Sequence, residues 1–146
     1  MKRKVLIAMI VLSLVGLADS LYLAKHKADG TPLLCSIENL SGCNVVANSS
    51  YSYLFGIPLA EFGVAFYMLM LILVFFEYWF SHIHARRALL AVTALGVLSS
   101  LYFISVQIFL IKALCVYCIG SAIITFVLLV CMGVFFKKTE LTPPTL

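Results

Sequence analysis

The chain has 146 residues, of which 64% are hydrophobic and only 11% are charged, and its mean hydropathy is +1.13. Soluble globular domains are far less apolar, so this composition excludes a soluble enzyme or binding domain and indicates an integral membrane protein. The formal net charge of +4 arises from basic residues that flank the apolar segments, where they orient the chain in a membrane, so nucleic acid is not expected as a partner.

Four apolar segments approach the length of roughly 20 residues that spans about 30 Å of hydrocarbon. We therefore predict an all-α membrane protein, a four-transmembrane-helix bundle in which residues 1–146 form one domain with an exoplasmic cap between the first two helices. The predicted helices cover residues 5–24, 58–80, 88–111 and 115–136, and the loop that carries the cap covers residues 25–57.

Lysine and arginine in short loops set the orientation of a membrane protein. The basic residues before the first helix, between the second and third, and after the fourth fall on one side, which we assign to the cytoplasm: Lys2, Arg3, Lys4, Arg86, Arg87, Lys137 and Lys138. Both termini are then cytoplasmic, and the loop is exoplasmic. In an alternative interpretation the first apolar run is a signal peptide cleaved after Gly16-Leu17-Ala18, which would leave three spans.

The first helix carries Asp19 near its outer end, and a carboxyl within a span usually faces the bundle or a functional site. The alternative is a helix-end carboxyl that reaches water. The loop contains Cys35 and Cys43, a pair typical of a structural disulfide in an oxidising compartment. The many apolar and aromatic residues of the loop predict a cap on the membrane face, with Tyr51 and Tyr53 at the level of the headgroups.

The second helix places Glu61 in its first turn and Phe62 and Phe66 on one face. Such an aromatic stripe is more often ordinary packing than the wall of a ligand site. In the third helix Phe103 and Gln107 share a face, and Gln107 lies near the outer end of the span.

The fourth helix begins with Cys115-Val116-Tyr117-Cys118. Cysteines at i and i+3 share a helix face, so Cys115 and Cys118 can form a disulfide or remain a dithiol. The helix start and the nearby Lys112 favour the thiolate of Cys115. A structural disulfide or half of a metal site is the alternative, whereas Ile119 argues against haem attachment. Cys131 lies about 24 Å along the helix from Cys115 and is interpreted as an apolar filler.

The predicted topology brings both cysteine pairs to the exoplasmic face, where two neighbouring pairs can exchange thiol and disulfide. Cys118 lies about one turn inside the bilayer, so the natural electron acceptor is a lipid-soluble quinone. Asp19, Glu61 and Gln107 are the polar groups at the right depth to meet its oxygens. The alternative is a membrane protein whose four cysteines form two permanent disulfides or one tetrathiolate metal site.

The loop cysteines, the stretch Ser50–Pro58 leading to Gly63 and Tyr67, and the closing Cys115-Val116-Tyr117-Cys118 resemble the bacterial branch of the vitamin K epoxide reductase family. The resemblance implies a thiol:quinone oxidoreductase of the bacterial inner membrane without a bound metal. It implies a four-helix bundle around a quinone, either ubiquinone or menaquinone. It also implies that the protein reoxidises a periplasmic thioredoxin-fold, DsbA-like thiol oxidase and so supports disulfide bond formation.

On the family pattern the partner would attack Cys35, Cys43 would attack the Cys115–Cys118 disulfide at Cys115, and Cys118 would contact the quinone. Four further positions map near the quinone pocket, namely Phe62, Phe66, Phe103 and Gln107. Ala122 replaces a tyrosine of the animal members, so epoxide reduction is not assumed. A quinone or vitamin K epoxide reductase that uses thiols as the donor is nevertheless the alternative reading. No thioredoxin-like domain follows the fourth helix, so the partner is expected to be a separate chain.

Overall fold

The computed structural model describes residues 2–33 and 42–140. In chain order its α-helices are α1 (Lys2–Asp29), α2 (Cys43–Asn48), α3 (Leu59–Phe80), α4 (Ile83–Val106) and α5 (Val116–Glu140). All but the short α2 are long and apolar enough to cross a membrane. The predicted fold class, an all-α bundle of four membrane-spanning helices, is therefore confirmed.

The bundle packs α1 against α3 and α5, and α4 against α3 and α5. Glycines allow two of these close approaches: a Cβ on Gly16 would overlap the ring of Tyr67, and a Cβ on Gly96 would lie 2.5 Å from the ring of Phe66. The main core consists of apolar side chains from all four spans, namely Leu6, Met9, Tyr67, Met70, Val74, Leu89, Leu128, Met132 and Phe135. Cys131 is partly buried against this core.

A buried ion pair closes the bundle end where α3 turns into α4. The Arg86 Nε donates to Glu77 Oε1 at 2.6 Å, and the Glu77 side chain is only 1% exposed. Ser81 ends α3 in the left-handed conformation, with φ of 46°, and its backbone N–H donates to the Glu77 carbonyl. The sequence had assigned Arg86 only a role in orientation, so this pairing is a finding of the structure.

The opposite end carries the cap, which the short α2 and a small β-hairpin build. Strand β1 (Tyr53–Leu54) pairs antiparallel with β2 (Ile57–Pro58), and α3 begins at the next residue. Asn44 of α2 accepts a hydrogen bond from the Leu33 N–H at 2.8 Å and donates to the Leu33 carbonyl. Lys27 of α1 donates to the Ala47 carbonyl at 2.6 Å, so α2 is fastened to the end of the first span.

A cysteine-lined cavity at one end of the bundle

The start of α5 is positioned by an unusual turn at the end of α4. A π-helical turn over Gln107–Ile111 follows α4, and the backbone N–H groups of Lys112 and Ala113 both donate to the Gln107 carbonyl. Lys112 adopts a left-handed φ of 57°, which lets the chain reverse within a few residues. The Gln107 side chain, 3% exposed, then accepts the Cys115 N–H at 3.1 Å. Gln107 therefore accepts hydrogen bonds from both the start and the end of the turn that connects α4 to α5.

The cap brings Cys43 to this reversal. A Cβ on Gly42 would lie 2.8 Å from both the Ala113 Cβ and the Leu114 carbonyl oxygen, so only glycine allows α2 to start this close to the turn. Cys43 and Cys115 belong to one buried cluster with Leu33 and Val46, against which Cys118 packs. Cys43 is disulfide-bonded, whereas Cys115 and Cys118 carry free thiols in the structure.

The environment of Cys115 favours its thiolate. A hydrogen bond from the Cys118 side chain lowers the pKa of the Cys115 thiol to about 7, and backbone N–H groups at the start of α5 act in the same direction. Burial opposes this shift without cancelling it. A thiolate that is substantially populated at neutral pH is the reactive form in disulfide exchange.

A cavity of about 360 Å³ opens beside these cysteines. It is lined by eight of the residues singled out in the sequence, namely Asp19, Cys43, Phe62, Phe66, Phe103, Gln107, Cys115 and Cys118. Glu61 is exposed and does not belong to the lining. Cys35 lies outside the described residues. The cavity therefore joins a cysteine pair, an aromatic wall and a carboxyl that are far apart in the sequence.

Further polar groups, to which the sequence assigned no role in the site, line the cavity's inner end. The Tyr67 hydroxyl lies 2.8 Å from the Ser121 hydroxyl and 3.2 Å from the Thr125 hydroxyl, so a hydrogen-bonded group extends from α3 to α5. Sequence reasoning missed Ser121 and Thr125, although their i, i+4 spacing on the helix that begins with the two cysteines could have drawn attention to them.

Asp19 supplies the clearest sign that the cavity takes a polar ligand atom. Its Oδ2 atom is buried and finds no hydrogen-bond partner among the described residues. A buried polar atom without a partner is costly, and a bound oxygen would satisfy it. Aromatic walls of Phe62, Phe66 and Phe103 suit the flat ring of a quinone, whose carbonyl oxygens need hydrogen-bond donors such as a protonated carboxyl or hydroxyl. The residues present therefore fit a quinone.

The alternative tetrathiolate metal site would include Cys35, which lies outside the described residues. Among residues 2–33 and 42–140, no group of three or more histidine, cysteine, aspartate or glutamate side chains is arranged to hold a metal ion. The described residues bring thiols together with an aromatic wall and a few hydrogen-bonding side chains in one cavity.

Comparison with known protein families gives a match that covers most of the chain. A family model described as the vitamin K epoxide reductase family matches residues 7–132, a range that includes all the cavity residues named above. A search of curated proteins finds no match to the chain.

Proposed function

The chain belongs to the vitamin K epoxide reductase family, a family of membrane quinone and thiol oxidoreductases, and from this premise we propose that it is a thiol:quinone oxidoreductase that generates disulfides. In this proposal it reoxidises a periplasmic thioredoxin-fold, DsbA-like thiol oxidase and passes the electrons to ubiquinone or menaquinone. The observation that carries the proposal is the placement of Cys43, Cys115 and Cys118 in the lining of one cavity with an aromatic wall.

The electrons enter through thiol–disulfide exchange. The partner's dithiol reduces the Cys35–Cys43 disulfide and becomes a disulfide itself. The Cys43 thiolate then attacks Cys115, so that a Cys43–Cys115 bond forms, the Cys115–Cys118 bond breaks and Cys118 leaves as a thiolate. Attack of Cys35 on Cys43 restores the loop disulfide and frees Cys115. Two electrons have then moved to the Cys115 and Cys118 thiols.

In the second half of the cycle Cys115 and Cys118 would give up two electrons and two protons, which a quinone bound in the cavity would accept as it becomes a quinol. Cys115 and Cys118 return to the disulfide and supply both protons, so no further reductant is required. The Tyr67 hydroxyl and, in its protonated form, the Asp19 carboxyl lie in the cavity lining, where each can donate a hydrogen bond to a quinone oxygen. Gln107 also hydrogen-bonds the Cys118 side chain, and both residues belong to the cavity lining.

The proposed sidedness follows the charges. The basic residues at the ends of α1 and α5 and between α3 and α4 place both termini in the cytoplasm and the cysteine pairs on the periplasmic side of the inner membrane. Labelling of Cys35 by a membrane-impermeant maleimide in intact, reduced cells is the expected result, whereas the buried Cys43 should react poorly. Labelling only after lysis would contradict the proposal, because the partner could not reach the loop.

The central test is quinone reduction by the purified chain in lipid vesicles, with dithiothreitol as donor and a short-chain ubiquinone as acceptor. Cys118→Ala should abolish turnover, since the dithiol can no longer become a disulfide. Cys131→Ala removes a thiol outside the cavity and should retain full activity. Normal turnover by Cys118→Ala would exclude the proposed route.

The partner is identified by trapping. In Cys43→Ala the loop cannot resolve a mixed disulfide between Cys35 and the partner, so that species should accumulate and can be identified by mass. A captured thioredoxin-fold protein with a Cys-x-x-Cys motif supports the assignment. Recovery of the variant without any disulfide-linked protein from the periplasm would contradict it.

A further inference from the structure

A second cavity lies on the outside of the bundle, at the end opposite the cysteines. It has a volume of about 600 Å³ and is formed by Ile10 of α1 and by apolar and aromatic side chains of α3. Trp79 and Phe80, at its end, are 68% and 67% exposed, and Phe75 is 59% exposed. In a membrane-spanning bundle this groove faces lipid, and its elongated apolar wall has the character of an acyl-chain site.

Ordered aromatic pairs shape the walls of this groove. The rings of Phe75 and Trp79 are 6.2 Å apart between centroids, and those of Phe76 and Phe80 are 4.7 Å apart. Each pair has i, i+4 spacing, so the rings stack along α3 and the groove runs parallel to the helix axis. A lipid chain lying along the bilayer normal would therefore follow the groove lengthwise.

A cation lies close to the groove, because Arg3 packs on Tyr78, the neighbour of the groove residue Trp79. The Arg3 guanidinium lies 5.7 Å from the centroid of the Tyr78 ring, and Tyr78 in turn contacts Trp79 edge-on. Arg3 and Ile10 are seven residues apart on α1, which puts them on one helix face about 10 Å apart. Arg3 is exposed and forms no hydrogen bond or ion pair among the described residues, so its N–H groups are available to a ligand.

We propose that this groove, topped by Arg3, binds one anionic glycerophospholipid of the surrounding bilayer. The acyl chain lies against the α3 aromatics, and the phosphate accepts hydrogen bonds from the guanidinium, which pairs with phosphate in a fork geometry. This site is independent of the redox function. The charge complementarity selects an anionic over a zwitterionic lipid by about fivefold, the effect of one arginine near a membrane surface.

Trp79 is the only tryptophan in the chain and lines the groove, so its fluorescence reports directly on the occupant. The full chain is reconstituted in vesicles in which either phosphatidylglycerol or phosphatidylcholine carries dibrominated acyl chains, which quench tryptophan on contact. At equal mole fractions, brominated phosphatidylglycerol should quench more strongly and give an apparent relative affinity of about five. Equal quenching by the two lipids would refute the selectivity and with it the site.

Two variants that each remove one positive charge distinguish lipid binding in the groove from general electrostatic attraction to the membrane. Arg3→Gln should bring the relative affinity close to one, while Lys4→Gln should leave most of the preference, because Lys4 lies about 120° around α1 from the face of Ile10. A preference that survives Arg3→Gln, or that both variants reduce equally, would overturn the proposal. Protection of Trp79 from both brominated lipids would also overturn it, since a second protein copy would then occupy the groove.

Discussion

The thiolate of Cys115 offers the sharpest test of the site, because a single neighbouring side chain is the largest cause of its stabilisation. The hydrogen bond from Cys118 is the largest cause that lowers the pKa of Cys115 to about 7. Cys118→Ala removes this donor, whereas Cys118→Ser replaces the thiol with a hydroxyl that can still donate. Neither variant can form the Cys115–Cys118 disulfide, so the two differ in the hydrogen bond alone. We expect the pKa of Cys115 to stay near 7 in the serine variant and to rise to the ordinary cysteine value of about 8.5 or above in the alanine variant.

The expected rate of Cys115 modification can be calculated at both low and high pH. At pH 7 the thiolate fraction is about one half for a pKa of 7 and about 3% for a pKa of 8.5. The more basic thiolate is intrinsically more nucleophilic, by about fivefold for this difference at a Brønsted coefficient near 0.45. The serine variant should therefore react about threefold faster at pH 7, and the alanine variant about fivefold faster at pH 10. The two profiles should cross near pH 8.

The assay follows modification of the Cys115 peptide by mass spectrometry in a Cys131→Ala background. Methyl methanethiosulfonate is a suitable reagent, because Cys115 is 1% exposed and only a small uncharged molecule is expected to enter the cavity. Restricted access slows both variants equally and cancels from their ratio. Parallel profiles without a crossing would show that the Cys118 hydrogen bond does not set the pKa of Cys115.

Two further predictions concern stability, measured as the free energy of unfolding of the full chain in detergent. Gly63→Ala should lose about 1–3 kcal/mol by overpacking, because the new Cβ would lie 2.6 Å from a serine hydroxyl of α1. Gly133→Ala, which meets nothing within 4 Å, is the matched control, and an equal loss in both variants would refute the packing argument. Arg86→Gln should lose about 3 kcal/mol, because it leaves the buried Glu77 carboxylate unpaired, whereas Arg87→Gln, on the exposed neighbour, should change stability by less than about 0.5 kcal/mol. Equal effects of the two arginine variants would show that the Glu77 ion pair contributes nothing.

The helices were predictable from sequence because hydrocarbon allows few alternatives: a backbone crossing it must satisfy its hydrogen bonds internally. Hydropathy was a weaker guide to where a helix ends. Helix α1 continues past Ala24 to Asp29, since Lys25, His26 and Lys27 can leave the hydrocarbon without leaving the helix. The apolar composition of a segment therefore shows which residues lie in the hydrocarbon, but it does not show where the helix ends.

Angular position around a helix was harder to predict than depth. Glu61 and Phe62 lie at the same depth, but consecutive residues differ by about 100° around the axis, and only Phe62 lines the cavity. The contact of Glu61 with a quinone stays a prediction without support from the cavity. Tyr67 illustrates the same difficulty, because its hydroxyl partners Ser121 and Thr125 come from another span, and the sequence does not show which helix faces meet.

The burial of the cysteines suggests how such a site could keep electrons on one route. Cys43 and Cys115 are 0% and 1% exposed, so a thiol as large as glutathione has no direct path to either sulfur. Under the proposed function, exchange between the two pairs would then take place without water or competing thiols, and electrons would enter the loop through Cys35. The turn at Gln107 contributes to this arrangement, because it satisfies the Cys115 N–H internally and allows the sulfur to be buried without an unpaired backbone donor. The site thus combines a Cys115 thiolate favoured by Cys118 with a sulfur that is inaccessible to solution thiols, two properties that an exposed Cys-x-x-Cys motif could not combine.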